Sequence, residues 1–229
     1  MRYSAIILSL VIVGCSSTES QKIEDTTPSA LLSKAIFSIQ NNKSRIAMEK
    51  YLNPLIKHCN SEVKSETEKV YSARSKKEED FYKSKTDTNG RTIRVIDGTC
   101  ADAHFFAGYV NVELNNVDTA EYYLINGLNI SPQNSRILSE LGNIYQNKKL
   151  WDKTLTTYKK AQVSAKLYSP TNRADMEYSR ALRGIGFVLI EQGKLDDASA
   201  KYHEALEINS KDKIALAELR YIEKLKLNK

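Results

Sequence analysis

His203-Glu204-Ala-Leu-Glu207 matches the first half of a metal-binding helix, in which two histidines one turn apart hold zinc and the glutamate activates water. Glu207 stands where the second histidine is needed, so the stretch reads as an ordinary amphipathic helix. Gly184-Ile-Gly186 has two glycines of a dinucleotide loop, yet no strand precedes it and no third glycine follows at the required spacing. Gly193-Lys194 lacks the upstream glycine of a phosphate loop, and Leu195 occupies the place of its magnesium-binding Ser or Thr. The histidines His58, His104 and His203 are scattered, which argues against a metal centre. The sequence therefore predicts no catalytic residue, no metal site and no cofactor. Three cysteines remain: Cys15, Cys59 and Cys100. His58 next to Cys59 is a poor general base for it, because neighbours on a helix point to different faces.

The elements that must position these groups begin with an apolar run, Ala5–Gly14, that follows Arg2. As a helix it would span about 15 Å, half of a hydrocarbon core of about 30 Å, so it reads as a signal-peptide core and not a membrane span. Ile12-Val13-Gly14-Cys15 resembles the lipobox of bacterial lipoproteins, with Ile in place of the usual Leu and Val in the middle of the box. That resemblance implies cleavage before Cys15, a diacylglycerol on its sulfur, and a polar tether over residues 15–28. Ser16 resembles the outer-membrane sorting pattern, which implies attachment to the periplasmic face of the outer membrane. With Cys15 lipidated, Cys59 and Cys100 would meet an oxidising compartment as a pair and could form a disulfide. The other reading leaves them as reactive thiols.

The chain's 229 residues, 41% hydrophobic with nine glycines and four prolines, can bury a core, which excludes disordered and collagen-like classes. Three windows of 34 residues, 101–134, 135–168 and 179–212, fall into register. Position 8 is Gly108, Gly142 and Gly186, and position 24 is Leu124, Tyr158 and Tyr202. Positions 20 and 27 are small: Ala120, Thr154 and Ala198, then Gly127, Ala161 and Ala205. Small residues let antiparallel helices approach, while large apolar ones at positions 7, 11 and 24 fill the space between. This pattern resembles the tetratricopeptide repeat (TPR). Asn111, Thr154, Lys166 and Ser210 depart from the usual types, and ten extra residues, Ser169–Tyr178, separate the second and third windows. They predict an overlong second helix, a loop over 169–172 and an early start to the next helix. Ile214, Leu216, Leu219, Ile222 and Leu225 predict the apolar face of a cap helix over 213–227.

Upstream, 29–39 and 44–63 read as helices, with Pro54 a kink or break. Ser75–Lys85 reads as a charged, exposed helix or loop, and Thr92–Ile96 as a short strand that could pair with Lys69–Ser72. The expected architecture is mainly all-α: a signal peptide over 1–14, a helical or α+β module over 29–98, and a TPR α-solenoid over 99–229.

The TPR resemblance implies a concave face lined by the first helix of each repeat. Carried onto this sequence, it places Phe105 and Tyr109 there, then Arg136, Asn143, Gln146 and Asn147, then Arg180, Arg183, Phe187 and Ile190. Aromatic groups would take apolar side chains, amides a peptide backbone, and arginines carboxylates. Ser139 replaces the lysine of the carboxylate clamp found in some TPR domains, so that clamp is not implied. The net charge of +6 is interleaved with acids, as in Lys76-Lys-Glu-Glu-Asp80, and together with export argues against a nucleic-acid partner. The expectation is a non-catalytic, lipid-anchored adaptor for an envelope protein or peptide. Its alternatives are a redox or enzymatic N-terminal module steered by the repeats, and a self-assembling structural lipoprotein.

Overall fold

A computed structural model describes residues 25–228. Cys15, the lipobox and most of the tether lie outside the described residues. Pro28 opens helix α1 (Pro28–Gln40) at a position where its missing N–H costs nothing. Helical residues then run unbroken from 44 to 63, as α2 (Ser44–Ile46), a π-helical stretch (Ala47–Leu52) and α3 (Asn53–Val63). Pro54 therefore does not break the helix. The Asn53 N–H reaches back five residues to the Met48 carbonyl, and this wider turn makes room for a proline ring that would otherwise press on the carbonyl four residues earlier.

Strands β1 (Glu68–Ala73) and β2 (Thr92–Asp97) pair in parallel, with Val70 opposite Arg94, and α4 (Lys76–Lys83) lies in their crossover. The expected exposed charged helix is only half so. Lys76 pairs with Asp80 at the surface, but Glu78 and Tyr82, one turn apart, are fully buried. The Glu78 carboxylate accepts from the Tyr82 hydroxyl (2.8 Å), the Ser131 hydroxyl (2.9 Å) and the Arg74 N–H (2.8 Å). The Gln133 N–H donates to the Tyr82 hydroxyl at 3.0 Å, so α4 is anchored to the loop between the first two helix pairs.

Those pairs are α5 (Thr99–Glu113) with α6 (Val117–Ile130), α7 (Ser135–Asn147) with α8 (Trp151–Tyr168), and α9 (Thr171–Glu191) with α10 (Leu195–Ile208). Helix α11 (Lys213–Leu227) follows. In each pair the position-8 glycine receives the large residue at position 24. A methyl group on Gly108 would stand 2.6 Å from Leu124, on Gly142 2.9 Å from Tyr158, and on Gly186 2.8 Å from Tyr202. Tyr158 is held from both sides, because a methyl on Gly184 would approach its ring to 2.5 Å. The turns between paired helices also repeat. Asn115 (φ 60), Lys149 (φ 55) and Gly193 (φ 70) each adopt the left-handed conformation, and the next N–H bonds a carbonyl five residues back.

The ten extra residues extend helices, leaving only Ser169 and Pro170 between α8 and α9 and a shorter loop than expected. On α11 the buried stripe is Ala215 and Ile222, with Leu219 and Leu225 partly packed. Ile214 and Leu216 are exposed, because the contact turns on the small Ala215 and brings its flanking residues out. Cys59 on α3 and Cys100 on α5 are joined, with sulfurs 2.11 Å and Cα atoms 5.5 Å apart. The bond lies in a core of Leu52, Leu55, Ala103 and Val110, and its closed loop of 41 residues is worth about 4 kcal/mol in the chain-entropy model. No free thiol is left beside His58, so the reactive-cysteine reading of these two residues fails. The fold is mainly all-α, a solenoid of helix pairs with the pairing expected of a TPR-like repeat, whose first pair is stapled to a small α+β module.

A candidate binding cavity on the inner face

The first helices of the three pairs, α5, α7 and α9, share a cavity of about 670 Å³, and α1 supplies a further wall. Ile36 and Ile39 from α1 face Phe105, Phe106 and Tyr109 from α5, with Met176 from α9 at the rim. The Phe105 and Phe106 rings meet edge to face at 5.1 Å, and the Arg136 guanidinium lies 3.9 Å from the centre of the Phe105 ring. A floor of this kind takes an apolar side chain, because it removes both surfaces from water and its rings are already packed.

Charge surrounds the floor in pairs. Arg136 bonds Asp102 at 2.9 Å, Arg180 bonds Glu140 at 2.6 Å, and Arg183 bonds Asp212, the residue that caps α11. Arg74, from the end of β1, forms a two-pronged bridge to Glu177 of α9 at 2.8 and 3.0 Å. Both side chains are almost wholly buried. Burial opposes ionisation of Glu177, but Arg74 outweighs it and holds the carboxyl below its ordinary range. Asp102 shows the opposite balance: burial raises its pKa, and Arg136 offsets this only in part. The Arg136 Nε and the Ser139 hydroxyl, both on this wall, are buried without a hydrogen-bond partner.

Five of the ten residues carried over from the repeat pattern line the cavity: Phe105, Tyr109, Arg136, Arg180 and Arg183. Asn143, Gln146 and Asn147 lie further along α7 and do not line it. Phe187 sits against the Trp151 ring at 6.4 Å. Ile190 is buried in the core with Tyr158, Leu195 and Tyr202, so its side chain packs between helices and presents nothing to a partner. The arginines are already bonded to carboxylates in place of standing free. Sequence reasoning missed Ile36 and Ile39, and it missed Arg173, Met176 and Glu177 in the extra residues before the third window. Arg173, Met176 and Glu177 lie seven, four and three residues before Arg180, so running the helical period backwards through the insertion would have found them.

His203 is exposed on α10, and Glu204 accepts hydrogen bonds from Tyr178 and Lys201, as suits an ordinary helix surface. Among the described residues no three His, Cys, Asp or Glu side chains stand together as a metal would need, and no helix is long and apolar enough to cross a membrane.

No family model and no curated protein matches this chain. Among solved structures it is similar to pilF of Pseudomonas aeruginosa, with a TM-score of 0.61 at 14% identity over 88% of this chain and 69% of that one. This likeness spans the N-terminal module as well as repeats, and it shows a shared fold alone. Shorter matches are the first TPR of Spaghetti (RPAP3) bound to the HSP90 peptide SRMEEVD, and the N-terminal domain of STI-1 from C. elegans. Their TM-scores are 0.48 and 0.45, at 19% and 17% identity. They cover 56% and 54% of this chain, and 93% and 94% of their own.

Proposed function

We propose that this chain is a non-catalytic scaffold that holds a peptide or helix of a cell-envelope protein in the cavity between α1, α5, α7 and α9. In the same reading, lipidated Cys15 tethers it to the periplasmic face of the outer membrane. The observation that carries the proposal is the cavity itself: an aromatic and aliphatic floor inside a ring of matched charges, built on rigid paired helices. Because the receptor is preformed, binding does not have to order it, and the ring of charges orients what the floor grips. The redox alternative loses support because both cysteines it needs are joined and buried.

A photoreactive residue placed at Phe106 should crosslink a discrete envelope partner in intact cells, while one at Tyr122, exposed on the second helix α6, should not. Equal capture from both positions would sink the cavity as the binding site. Cys15→Ala should move the protein from the membrane to the soluble fraction, and unchanged fractionation would remove the anchor from the proposal.

A further inference from the structure

A second recess, of about 490 Å³, opens beside the main cavity and shares Asp102, Arg136 and Arg173 with it. Its other walls are Leu32 of α1, Ala73 and Arg74 at the end of β1, Asp97, Gly98 and Thr99 where β2 passes into α5, and Pro170 and Asn172 at the start of α9. Three guanidinium groups thus line one small space. Two of them come from outside the repeat windows: Arg74 from the N-terminal module and Arg173 from the extra residues before the third window.

Of the three carboxylates in reach, two are paired with arginines, and the exposed Asp97 is held by a backbone N–H alone. Glu177 takes both terminal nitrogens of Arg74, Asp102 pairs with Arg136, and Asp97 caps the Thr99 N–H at 2.8 Å. Among the described residues, the exposed Arg173 side chain has no hydrogen-bond or ion-pair partner. It lies close enough to repel the charge of Arg136. The Nε atoms of Arg74 and Arg136 are buried and unpartnered, and the Arg74 side chain is only 6% exposed. Helix α9 begins here with Pro170 as its N-cap, no side chain capping it and no acid in its first turn. Pro170, Asn172 and Arg173 line the recess, so the positive end of the helix dipole lies beside it.

We propose that this recess takes a carboxylate of the bound peptide, held by Arg173 and Arg136 at the start of α9, while neighbouring apolar residues of that peptide lie on Phe105, Phe106 and Tyr109. This rests on the peptide-binding reading above and deepens it, since it names the chemistry of the partner: an acidic group adjoining apolar ones. A carboxylate is planar and can accept two parallel N–H bonds from a guanidinium, and its charge relieves the repulsion between the two arginines. The group comes from an Asp or Glu side chain or from a chain end, and the test separates these.

The experiment selects binders from a random dodecapeptide library displayed against the full chain, then measures synthetic copies against wild type, Phe106→Ala, Arg173→Gln and Arg173→Glu. The expected result is an Asp, Glu or free C-terminus at one fixed position, with affinity falling about tenfold or more in Arg173→Gln, as for the loss of one charge-assisted hydrogen bond. Selection on Arg173→Glu should favour Lys or Arg at that position. Amidating the peptide C-terminus weakens binding only if the carboxylate is the chain end, and replacing the acidic side chain by its amide only if it is internal. Peptides that lose affinity in Phe106→Ala but bind both Arg173 variants as well as wild type overturn the carboxylate assignment and leave the cavity standing. If no peptide is selected, or none responds to Phe106→Ala, the cavity reading falls and takes this one with it. Arg173 is exposed, so matching thermal unfolding of its variants and wild type shows that an affinity change is local.

Discussion

At the scale of single residues, burial decides which charged or polar groups matter. His104, on α5, is buried with its Nδ1 unpartnered, and burial lowers its pKa to about 4 from an ordinary 6.5. Between those values the unfolded chain holds the extra proton, so stability is full above about pH 6.5 and declines as pH falls toward 4. The decline this histidine can cause is about 3 kcal/mol. Urea unfolding of wild type between pH 4.5 and 7 should show it, and His104→Gln should flatten that part of the profile. Parallel profiles for the two proteins would refute the assignment. The sequence places His104 inside the first repeat window, but its burial without a partner was not legible, because a sequence lists no neighbours across a helix interface.

At the scale of elements, the link between the N-terminal module and the solenoid is polar. Arg74 and Glu177 tie the end of β1 to α9, and Ser169 adds a hydroxyl bond to the same carboxylate. Removing one partner leaves a buried charge unpaired. Arg74→Ala or Glu177→Ala should therefore each cost about 3–5 kcal/mol in denaturant unfolding. Arg74→Met with Glu177→Leu should cost well under the sum, since neither charge then remains to be desolvated. Additive losses would show that the two side chains act independently. Neither residue stood out in the sequence: they lie 103 positions apart, one in a charged loop and the other in the insertion. Glu78 and Tyr82 were likewise read as surface, because a run of Lys, Glu and Asp gives no sign that one acid faces inward.

At the scale of the whole molecule, stacking has to stop without leaving an apolar face in water. Helix α11 covers the last pair through Ala215 and Ile222, against a core that includes Leu189 and Tyr202. Continuing the 34-residue register, the exposed Arg220 of α11 stands at position 8, where the three windows have Gly108, Gly142 and Gly186, so no further helix can come as close there. Deleting residues 213–229 should uncover the Tyr202 side of the core. The expected outcome is association at micromolar concentration in sedimentation velocity, where the intact chain keeps its size. A truncated chain with unchanged sedimentation and unfolding would show that α11 does not seal the stack.

The thirty-four-residue rhythm by itself determined the paired helices, the glycine that receives each large partner and the turn that separates them. Those contacts join residues of one repeat, where steric fit between near neighbours leaves few solutions. Only tertiary structure decided that α1 would wall the cavity, that Arg74 of the N-terminal module would be buried against Glu177 of α9, and that predicted groove residues such as Ile190 would be taken up by packing. Such outcomes depend on how distant segments dock and which charges become buried together. No period in the chain encodes that docking, so it is fixed by the shape and charge of surfaces that exist only after the repeats have stacked.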